Sequence, residues 1–389
     1  MNKYIENYKQ IYNDLVIYLK GEINSTTSLE VEQAIMKVAN EISFTTLILD
    51  FSLITYVSSA GLRVILRLKQ HYNDMHIVNV SLSVYDVFSM TGFTNIMDIK
   101  KTLTKIDVKD KEIIGEGYFS TVYRIDSDTI VKAFKEDVDI KEVERELNMA
   151  KQAFILGIPT AISFDVVQVN DKLGVRFELL NSTLLRDLFR DYPEDFDQLV
   201  IKYVDLLKKI NTTETLDESL LKTKDFWINK LEQIKEYLPI DKYDLLKEML
   251  EEIPDRDTFV HGDCHVKNIM VQGDELFLID MDTLTRGHPI FELACICATY
   301  ALFEEDDIGS TAKFLGLPIE TVNKLYDQVI NQYFGKDDKD IKNKIRMLGY
   351  LHMVWWTNNY QKDNKVRFNN CKIRLLNLLE TYHDFNVGI

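Results

Sequence analysis

Cysteine is scarce in this chain, which has only four in 389 residues, at positions 264, 295, 297 and 371. Their spacing does not suit paired sites, which excludes a disulfide-stapled secreted domain and predicts buried thiols in a reducing cytoplasm. Long apolar runs are also lacking, since the longest, residues 293–303, is too short to span a bilayer. The first residues are polar and charged, unlike a secretory signal. We therefore expect a cytoplasmic protein with no membrane partner.

An excess of positive charge is lacking as well. The chain has 46 Lys and Arg against 62 Asp and Glu, a formal net charge of −16. Residues 1–106 hold ten of each sign, so the 36 basic and 52 acidic residues that remain place the whole excess after residue 106. Because nucleic-acid binding depends on a basic surface, this balance argues against a nucleic-acid partner. It is compatible with a cationic substrate, although solubility is a commoner reason for such charge.

The most informative stretch that is present runs from residue 261 to residue 282. It reads HGDCHVKN at 261–268 and LIDMD at 278–282. Two β-like runs with a turn at 272–275 predict a hairpin that brings Asn268 and Asp280 together beside the loop carrying Asp263. Phosphoryl transfer needs such a group of polar residues for positioning and charge neutralisation. The alternative is a hairpin with ordinary turn acids.

Each of these residue types suits one part of that chemistry. Asp263 would orient an acceptor hydroxyl and receive its proton. Asn268 and Asp280 would supply oxygen ligands to Mg²⁺, a hard cation, and Asp282 could assist the metal or help to hold the loop.

A glycine-rich turn, IGEGYFSTVY, lies upstream at residues 114–123. Gly115 and Gly117 would let the backbone approach the phosphates of ATP, and the segment as far as Ser120 would cover them. A short apolar strand at 128–134 then carries a single lysine, Lys132, which would pair with the α- and β-phosphates. In isolation, Lys132 could equally be a strand-edge lysine that faces solvent.

A helix is predicted after this strand, because apolar residues recur with helical period at positions 143, 147, 150 and 154. One glutamate of this helix should hold Lys132 in place. Periodicity leaves Glu144 and Glu146 as equal candidates, on opposite sides of the apolar stripe.

These motifs, in this order, resemble the aminoglycoside phosphotransferase-like family of small-molecule kinases, which is related to the choline kinases. The resemblance runs from about residue 110 to the C-terminus and implies an α+β bilobal protein-kinase-like fold that uses ATP and Mg²⁺. It makes Glu146 the partner of Lys132 and implies that adenine binds the backbone at Glu178 and Leu180. It also implies that the motif histidines at 261 and 265 are mainly structural. Where the family usually has Asp after the metal site, this chain has Glu292.

The first hundred residues alternate strand-like and helix-like segments, which predicts a small α/β domain. Four segments, 21–24, 50–52, 57–62 and 89–93, resemble the STAS domains of anti-sigma-factor antagonists over about residues 10–105. We therefore predict a STAS-like domain at 1–106. A kinase-like domain should follow at 107–389, with lobes at about 107–180 and about 181–389.

The resemblance also points to a modification site in the N-terminal domain. In regulatory STAS domains a serine at the start of the second helix is phosphorylated by a partner kinase, and that position falls on Ser59. A helix N-terminus suits phosphate. Ser58 and Asn24 stand where acids are common in the family. The alternative is that Ser58 or Ser59 only caps the helix.

An aromatic group in the C-terminal part offers a binding site for a cation. Trp227, Trp355, Trp356 and Tyr360 could surround a quaternary ammonium group. Tryptophans at helical spacing are more often core residues.

The sequence thus predicts an ATP- and Mg²⁺-dependent phosphotransferase that acts on a hydroxyl of a small molecule, joined to a STAS-like regulatory or interaction domain. An anti-sigma factor or a serine kinase would be the partner of that domain. The rival hypothesis is a non-enzymatic anti-sigma-factor antagonist whose kinase-like half binds nucleotide or a protein. A third is that the kinase-like half phosphorylates Ser59 of its own chain. The acceptor stays open among aminoglycosides, amino alcohols, sugars and a protein serine.

Overall fold

The computed structural model describes residues 3–117, 119–215, 217 and 220–389. The chain divides into two compact units, Met1–Lys105 and Ile106–Ile389. Each unit encloses buried apolar residues of its own.

The first unit is a five-stranded sheet with three helices. Its strands β1 to β5 are Ile5–Ile11, Asp14–Ile23, Thr46–Val57, Met75–Val80 and Ile99–Lys101, and its helices α1 to α3 are Ser28–Asn40, Ser59–His71 and Leu82–Met90. The strands lie in chain order, with β1 antiparallel to β2 and the others parallel. The predicted α/β class is confirmed, but β1 was not predicted, because only one of its seven residues is buried and its sequence does not alternate.

The start of α2 is held close to the sheet. The side-chain oxygen of Ser58 accepts hydrogen bonds from the amides of Ala60 and Gly61, at 3.2 and 3.4 Å, and so caps the helix. A Cβ atom at Gly61 would lie 2.4 Å from the carbonyl oxygen of Ile23, so only glycine fits there. Of the two serines that could cap the helix, the structure uses Ser58 and leaves Ser59 exposed.

A six-stranded sheet and one long helix precede the helical part of the second unit. The strands β6 to β11 are Thr104–Ile106, Ile113–Glu116, Ser120–Arg124, Thr129–Phe134, Ser163–Val169 and Lys172–Glu178, in the order β6-β10-β11-β9-β8-β7. Helix α4, Ile140–Ile155, buries Val143, Glu146, Leu147, Ala150 and Ala153. The predicted stripe is wrong at Phe154, which is 46% exposed, because the buried face passes through Ala153 instead.

The rest of the second unit is mainly helical. Helices α5 to α14 are Leu185–Asp191, Phe196–Thr212, Thr223–Gln233, Ile240–Glu252, Ile290–Cys297, Phe303–Asp306, Ser310–Leu315, Ile319–Phe334, Lys339–Tyr360 and Lys365–Leu379. Short strands β12 to β16 are Thr183–Leu184, Phe259–Val260, Ile269–Gln272, Glu275–Leu278 and Thr285–Arg286. Strands β14 and β15 form the predicted hairpin, β12 pairs with β14, and β13 pairs with β16.

Helix α9 lies at the centre of this part, and all eight of its residues are buried. The apolar run at 293–303 therefore belongs to the protein core, where α9 continues into a π-helical turn, Ala298–Leu302. Within the described ranges, no helix combines the length and the apolar character that crossing a bilayer would require.

Candidate active site

The β14–β15 hairpin and the loop before it bring the polar residues of the HGDCHVKN and LIDMD motifs to one place. The side-chain amide of Asn268 donates to both the backbone oxygen and the carboxylate Oδ2 of Asp263, each at 3.0 Å. The amide of Ile279 donates to the carbonyl of Asn268 at 3.0 Å, so Asp280 follows directly beside it. Asp263, Asn268 and Asp280 thus gather at the open end of the hairpin.

Lys132 connects this hairpin to the large sheet. From strand β9, its Nζ lies 2.6 Å from Oδ1 of Asp280 and 2.8 Å from Oε1 of Glu146 on α4. Burial lowers the pKa of Lys132, but the charges of Asp280 and Glu146 outweigh it and raise the pKa above its ordinary value. The lysine is therefore a fixed positive charge at neutral pH. Of the two glutamates that periodicity left open, the structure pairs Glu146 with Lys132.

Asp280 has an unusual backbone conformation. Its φ of +67° lies in the left-handed region, which a non-glycine residue adopts at a cost, although Asp and Asn tolerate it better than most. This conformation lets the chain leave β15 sharply while the carboxylate points to Lys132. A strained residue that the fold nevertheless retains often marks a functional site.

The carboxylate of Asp263 is suited to accept a proton. Its side chain is 43% exposed. Desolvation by the surrounding protein raises the pKa of Asp263 to about 6, and the charge of Asp280 adds to the effect, while Asn268 and Lys267 oppose it. A base whose pKa lies close to neutrality is both ionised and able to hold a proton.

The two histidines of the motif are buried and neutral. Burial lowers the pKa of both, and that of His265 falls to about 4. Nδ1 of His261 accepts from the amide of Asp263 at 3.3 Å, and Nε2 of His265 lies 3.5 Å from Oδ1 of the same residue. Both rings therefore shape the loop around Asp263.

The oxygen atoms at the hairpin end fit a hard cation such as Mg²⁺. Asn268, Asp280 and Asp282 offer one amide and two carboxylates, and Mg²⁺ prefers such oxygen ligands. Desolvation and the charge of Asp280 raise the pKa of Asp282, so the two carboxylates repel each other, and a bound cation would relieve that repulsion. In the described part of the chain no three His, Cys, Asp or Glu side chains are grouped for a metal, so the amide of Asn268 would be needed.

The glycine-rich turn lies between β7 and β8, where the amide of Gly117 donates to the carbonyl of Ser120 at 2.9 Å. Neither Gly115 nor Gly117 has a positive φ, and a Cβ atom at either would meet nothing closer than 3.5 Å. Their own backbone conformation therefore does not demand glycine. Ser120 is buried. Tyr118 lies outside the described residues.

The predicted adenine-binding segment follows β11. The amide of Glu178 donates to the carbonyl of Ile162 at 2.8 Å, and the carbonyl of Leu180 accepts from the hydroxyl of Ser182 at 3.2 Å. The amide of Glu178 is therefore already used within the chain, whereas the carbonyl of Leu180 can accept a second hydrogen bond, and the Leu180 side chain is buried.

Sequence reasoning underestimated Glu292. Its fully buried Oε2 accepts from the amides of His261 and Gly262, at 2.5 and 3.1 Å, and so holds the loop that carries Asp263. Burial raises the pKa of Glu292 to about 7, and these backbone hydrogen bonds act against the rise. The sequence does contain a sign of this role, because Glu292 is the single charged residue in the otherwise apolar helix α9.

Two tyrosines hold the same loop and were also missed. The hydroxyl of Tyr203 donates to the carbonyl of Cys264, and the amide of Val266 donates to the hydroxyl of Tyr300 at 2.9 Å. Both hydroxyls are inside the protein core.

Two members of the aromatic group of the sequence analysis, Trp227 and Trp355, surround a cation of this chain together with Phe226. The ammonium of Lys230 lies 4.3 Å from the ring centre of Trp227, 4.7 Å from that of Trp355 and 4.4 Å from that of Phe226. It also lies 2.9 Å from Nδ1 of His352, and Lys230 is only 3% exposed. Trp227 is a core residue, and the space between these rings is filled by Lys230.

Comparisons with known proteins agree with this fold. Residues 111–317 match the model of the phosphotransferase enzyme family, and residues 6–106 match that of the STAS domain. No curated protein matches the chain.

Among solved structures, three similar chains are each 14% identical to this one. They are the gentamicin complex of APH(2'')-IIa, ADP-bound aminoglycoside phosphotransferase APH(2'')-Ib and a choline/ethanolamine kinase family protein from Mesorhizobium loti. The alignments cover 71%, 69% and 70% of this chain and 93%, 93% and 88% of those chains, with TM-scores of 0.46, 0.47 and 0.45. Since the family model matches 207 of the 389 residues, the chain belongs to the phosphotransferase enzyme family, and a STAS domain precedes the phosphotransferase domain.

Proposed function

We propose that this protein transfers the γ-phosphoryl group of ATP to a hydroxyl of a small molecule, with the help of Mg²⁺. The observation that carries the proposal is the convergence of Asp263, Asn268 and Asp280 at one end of the hairpin, with Lys132 bonded to Asp280. A hairpin with ordinary turn acids would not place a buried lysine and its glutamate partner against this end.

In the proposed reaction the acceptor oxygen forms a bond to the γ-phosphorus while the bond from that phosphorus to the bridging oxygen of ADP breaks. The hydroxyl proton passes to the carboxylate of Asp263, and ADP leaves. Lys132, held by Glu146, contacts the phosphates, and the turn from Gly115 to Ser120 covers them. Asn268, Asp280 and Asp282 would hold Mg²⁺, which would neutralise charge on the phosphates.

The first test replaces Asp263 with Asn. We expect Asp263→Asn to lower phosphoryl transfer about 10²- to 10⁴-fold, because the amide cannot take the proton. The measurement follows label from γ-labelled ATP in the presence of Mg²⁺, with and without pooled hydroxyl compounds. Asp274→Asn is the matched control, since Asp274 is a fully exposed turn acid of the same hairpin that pairs with Lys202. Equal activity in the wild type and Asp263→Asn would overturn the proposal.

The same measurement separates the rivals. Nucleotide binding without transfer to any compound would favour a non-enzymatic antagonist whose phosphotransferase domain acts as a binding module. Label that accumulates on Ser59 would favour self-phosphorylation.

For the STAS domain we propose a regulatory or interaction role, with an anti-sigma factor or a serine kinase as partner. Ser59 is the candidate phosphosite. It is exposed on the first turn of α2, and Ser58 rather than Ser59 accepts the capping hydrogen bonds. Its hydroxyl is therefore available for modification without loss of the cap.

A further inference from the structure

Two cations other than Lys132 lie on or against the loop that carries Asp263. Lys267, next to Asn268 in the catalytic loop, places its Nζ 4.2 Å from the ring centre of Phe314 on α11. That ring lies 5.2 Å from the ring of His265, whose Nε2 is 3.5 Å from the carboxylate of Asp263. Lys267 and Phe314 thus lie beside Asp263, on elements other than the large sheet and helix α4.

Arg186, the second cation, lies against the same surface. Its amide donates to the carbonyl of Val266 at 3.2 Å, and its Nη1 is 3.5 Å from the Cβ position of Gly316, just after α11. Within the described part of the chain, the Nε of Arg186 makes no hydrogen bond. Its nearest carboxylate, that of Asp187, lies 3.5 Å away and also forms an ion pair with Arg190 at 2.9 Å, so Asp187 balances the charge of Arg186 only in part.

Lys267 is half-buried and forms no ion pair with any residue that the structure describes. A half-buried ammonium without a carboxylate is costly unless a ligand supplies one, although the ring of Phe314 offsets part of that cost. Lys267 and Arg186 are thus two cations whose charge nearby carboxylates balance only weakly. Because they lie beside the proposed base, they favour the binding of a negatively charged ligand there.

Two features that could attract a cationic acceptor are, by contrast, already neutralised by the chain itself. The rings of Phe226, Trp227 and Trp355 surround Lys230. In the acidic run at 304–307, Glu305 pairs with Arg346 and Arg374, Asp306 pairs with Arg374 at 2.7 Å and Asp307 lies 3.7 Å from Arg367. Glu304 accepts from the amides of Gly309 and Thr311.

From this charge arrangement we propose that the acceptor carries an anionic group, a phosphate or a carboxylate, that Lys267 and Arg186 bind while its hydroxyl faces Asp263. This inference rests on the proposed function and names its substrate class. Charge-assisted hydrogen bonds from lysine and arginine are the strongest polar contacts available to such a group. An aminoglycoside or choline would instead meet two like charges.

The test compares three classes of hydroxyl compound with γ-labelled ATP and Mg²⁺. The anionic class contains glycerol 3-phosphate and glycerate, which distinguish phosphate from carboxylate; the neutral class is glycerol, and the cationic class is choline and kanamycin. Transfer to an anionic compound in preference to the others is expected. Preference for a neutral or cationic compound, or transfer to none of the three classes, would overturn the inference.

Variants then connect that preference to the residues. Lys267→Met should raise the KM for the anionic acceptor about 10- to 100-fold and leave the KM for ATP unchanged, and Lys267→Arg should largely restore it. Lys313→Met is the matched control, because Lys313 is an exposed lysine on the same helix as Phe314. An unchanged acceptor KM in Lys267→Met would contradict the inference.

The failure of the inference and that of the proposed function are distinguishable. Suppose that the wild type hydrolyses ATP without any acceptor and that Asp263→Asn abolishes that hydrolysis. This result would show a working phosphotransferase centre even if no anionic compound is phosphorylated. If the protein neither hydrolyses ATP nor transfers its phosphoryl group, that result would count against both the inference and the proposed function.

Discussion

At the scale of single residues, the position of Asp263 depends on a glutamate that touches no part of the proposed reaction. The side chain of Glu292, which is fully buried, accepts from two consecutive amides of the loop that carries Asp263. Because buried donors without a partner are costly, the carboxylate both stabilises the fold and positions the loop. Glu292 is therefore a positioning residue.

Replacing this residue tests that role. Glu292→Ala leaves the amides of His261 and Gly262 without this partner, the first of them buried, so we expect the free energy of unfolding to fall by about 2–4 kcal/mol and kcat to fall about 10- to 100-fold. The KM for ATP should change little, because Lys132 and the glycine-rich turn lie elsewhere. Denaturant unfolding and steady-state kinetics give these values. Glu292→Asp, which keeps a carboxylate, should retain more of both, and an unaltered kcat in Glu292→Ala would contradict the positioning role.

At the scale of secondary-structure elements, the start of α2 separates a structural serine from an exposed one. Ser58 caps the helix, whereas the side chain of Ser59 is turned to solvent. A phosphate on Ser59 would lie at the helix N-terminus, where unpaired amides and the helix dipole favour negative charge. The adjacent serines thus provide variants with opposite expected effects.

Ser58→Ala should lower the free energy of unfolding of the first unit by about 1 kcal/mol, since it removes the cap. Ser59→Ala should have little effect on stability and should abolish any phosphorylation at this position. Denaturant titration followed by circular dichroism measures the first effect, and mass spectrometry measures the second. If Ser59→Ala proved the more destabilising change, Ser59 would be the structural residue and the proposed phosphosite would lose its support.

At the scale of the whole molecule, two sets of buried residues support two units of different charge. The buried cluster of the first unit lies between Tyr4 and Ile99, and those of the second lie between Val108 and Val387. The excess of acidic residues belongs to the chain after residue 106. Multi-domain chains commonly deviate from two-state unfolding.

Separate cores predict separate responses to mutation. All three tryptophans, at 227, 355 and 356, lie in the second unit, so their fluorescence reports on that unit, whereas circular dichroism reports on both. Gly61→Ala, which would place a Cβ atom 2.4 Å from the Ile23 carbonyl, should destabilise the first unit by about 1–3 kcal/mol. The circular dichroism transition should then shift without the fluorescence transition, and Ser59→Ala serves as control. A common shift of both probes would show that the units unfold together.

Much of this architecture was predictable because its signals are local. The alternation of segments before residue 100, the β14–β15 hairpin and the helical character of the C-terminal part follow from patterns a few residues long. The order of the glycine-rich turn, Lys132 and the HGDCHVKN motif was sufficient to predict a phosphotransferase. Strand β1 was missed for the same reason, since its sequence lacks the alternation on which a strand prediction depends.

By itself, then, the sequence determined the two-domain organisation, the family chemistry and the residue types available for it. Only the tertiary structure decided which of these residues meet. Lys132 contacts Glu146, 14 residues away, and Asp280, 148 residues away. Glu292 holds a loop some 30 residues upstream, Lys230 lies against the rings of Trp227 and Trp355, and Ser58 rather than Ser59 caps α2. The physical reason is that a side chain's partners depend on how packed elements approach each other in space, and short-range sequence patterns carry no record of those approaches.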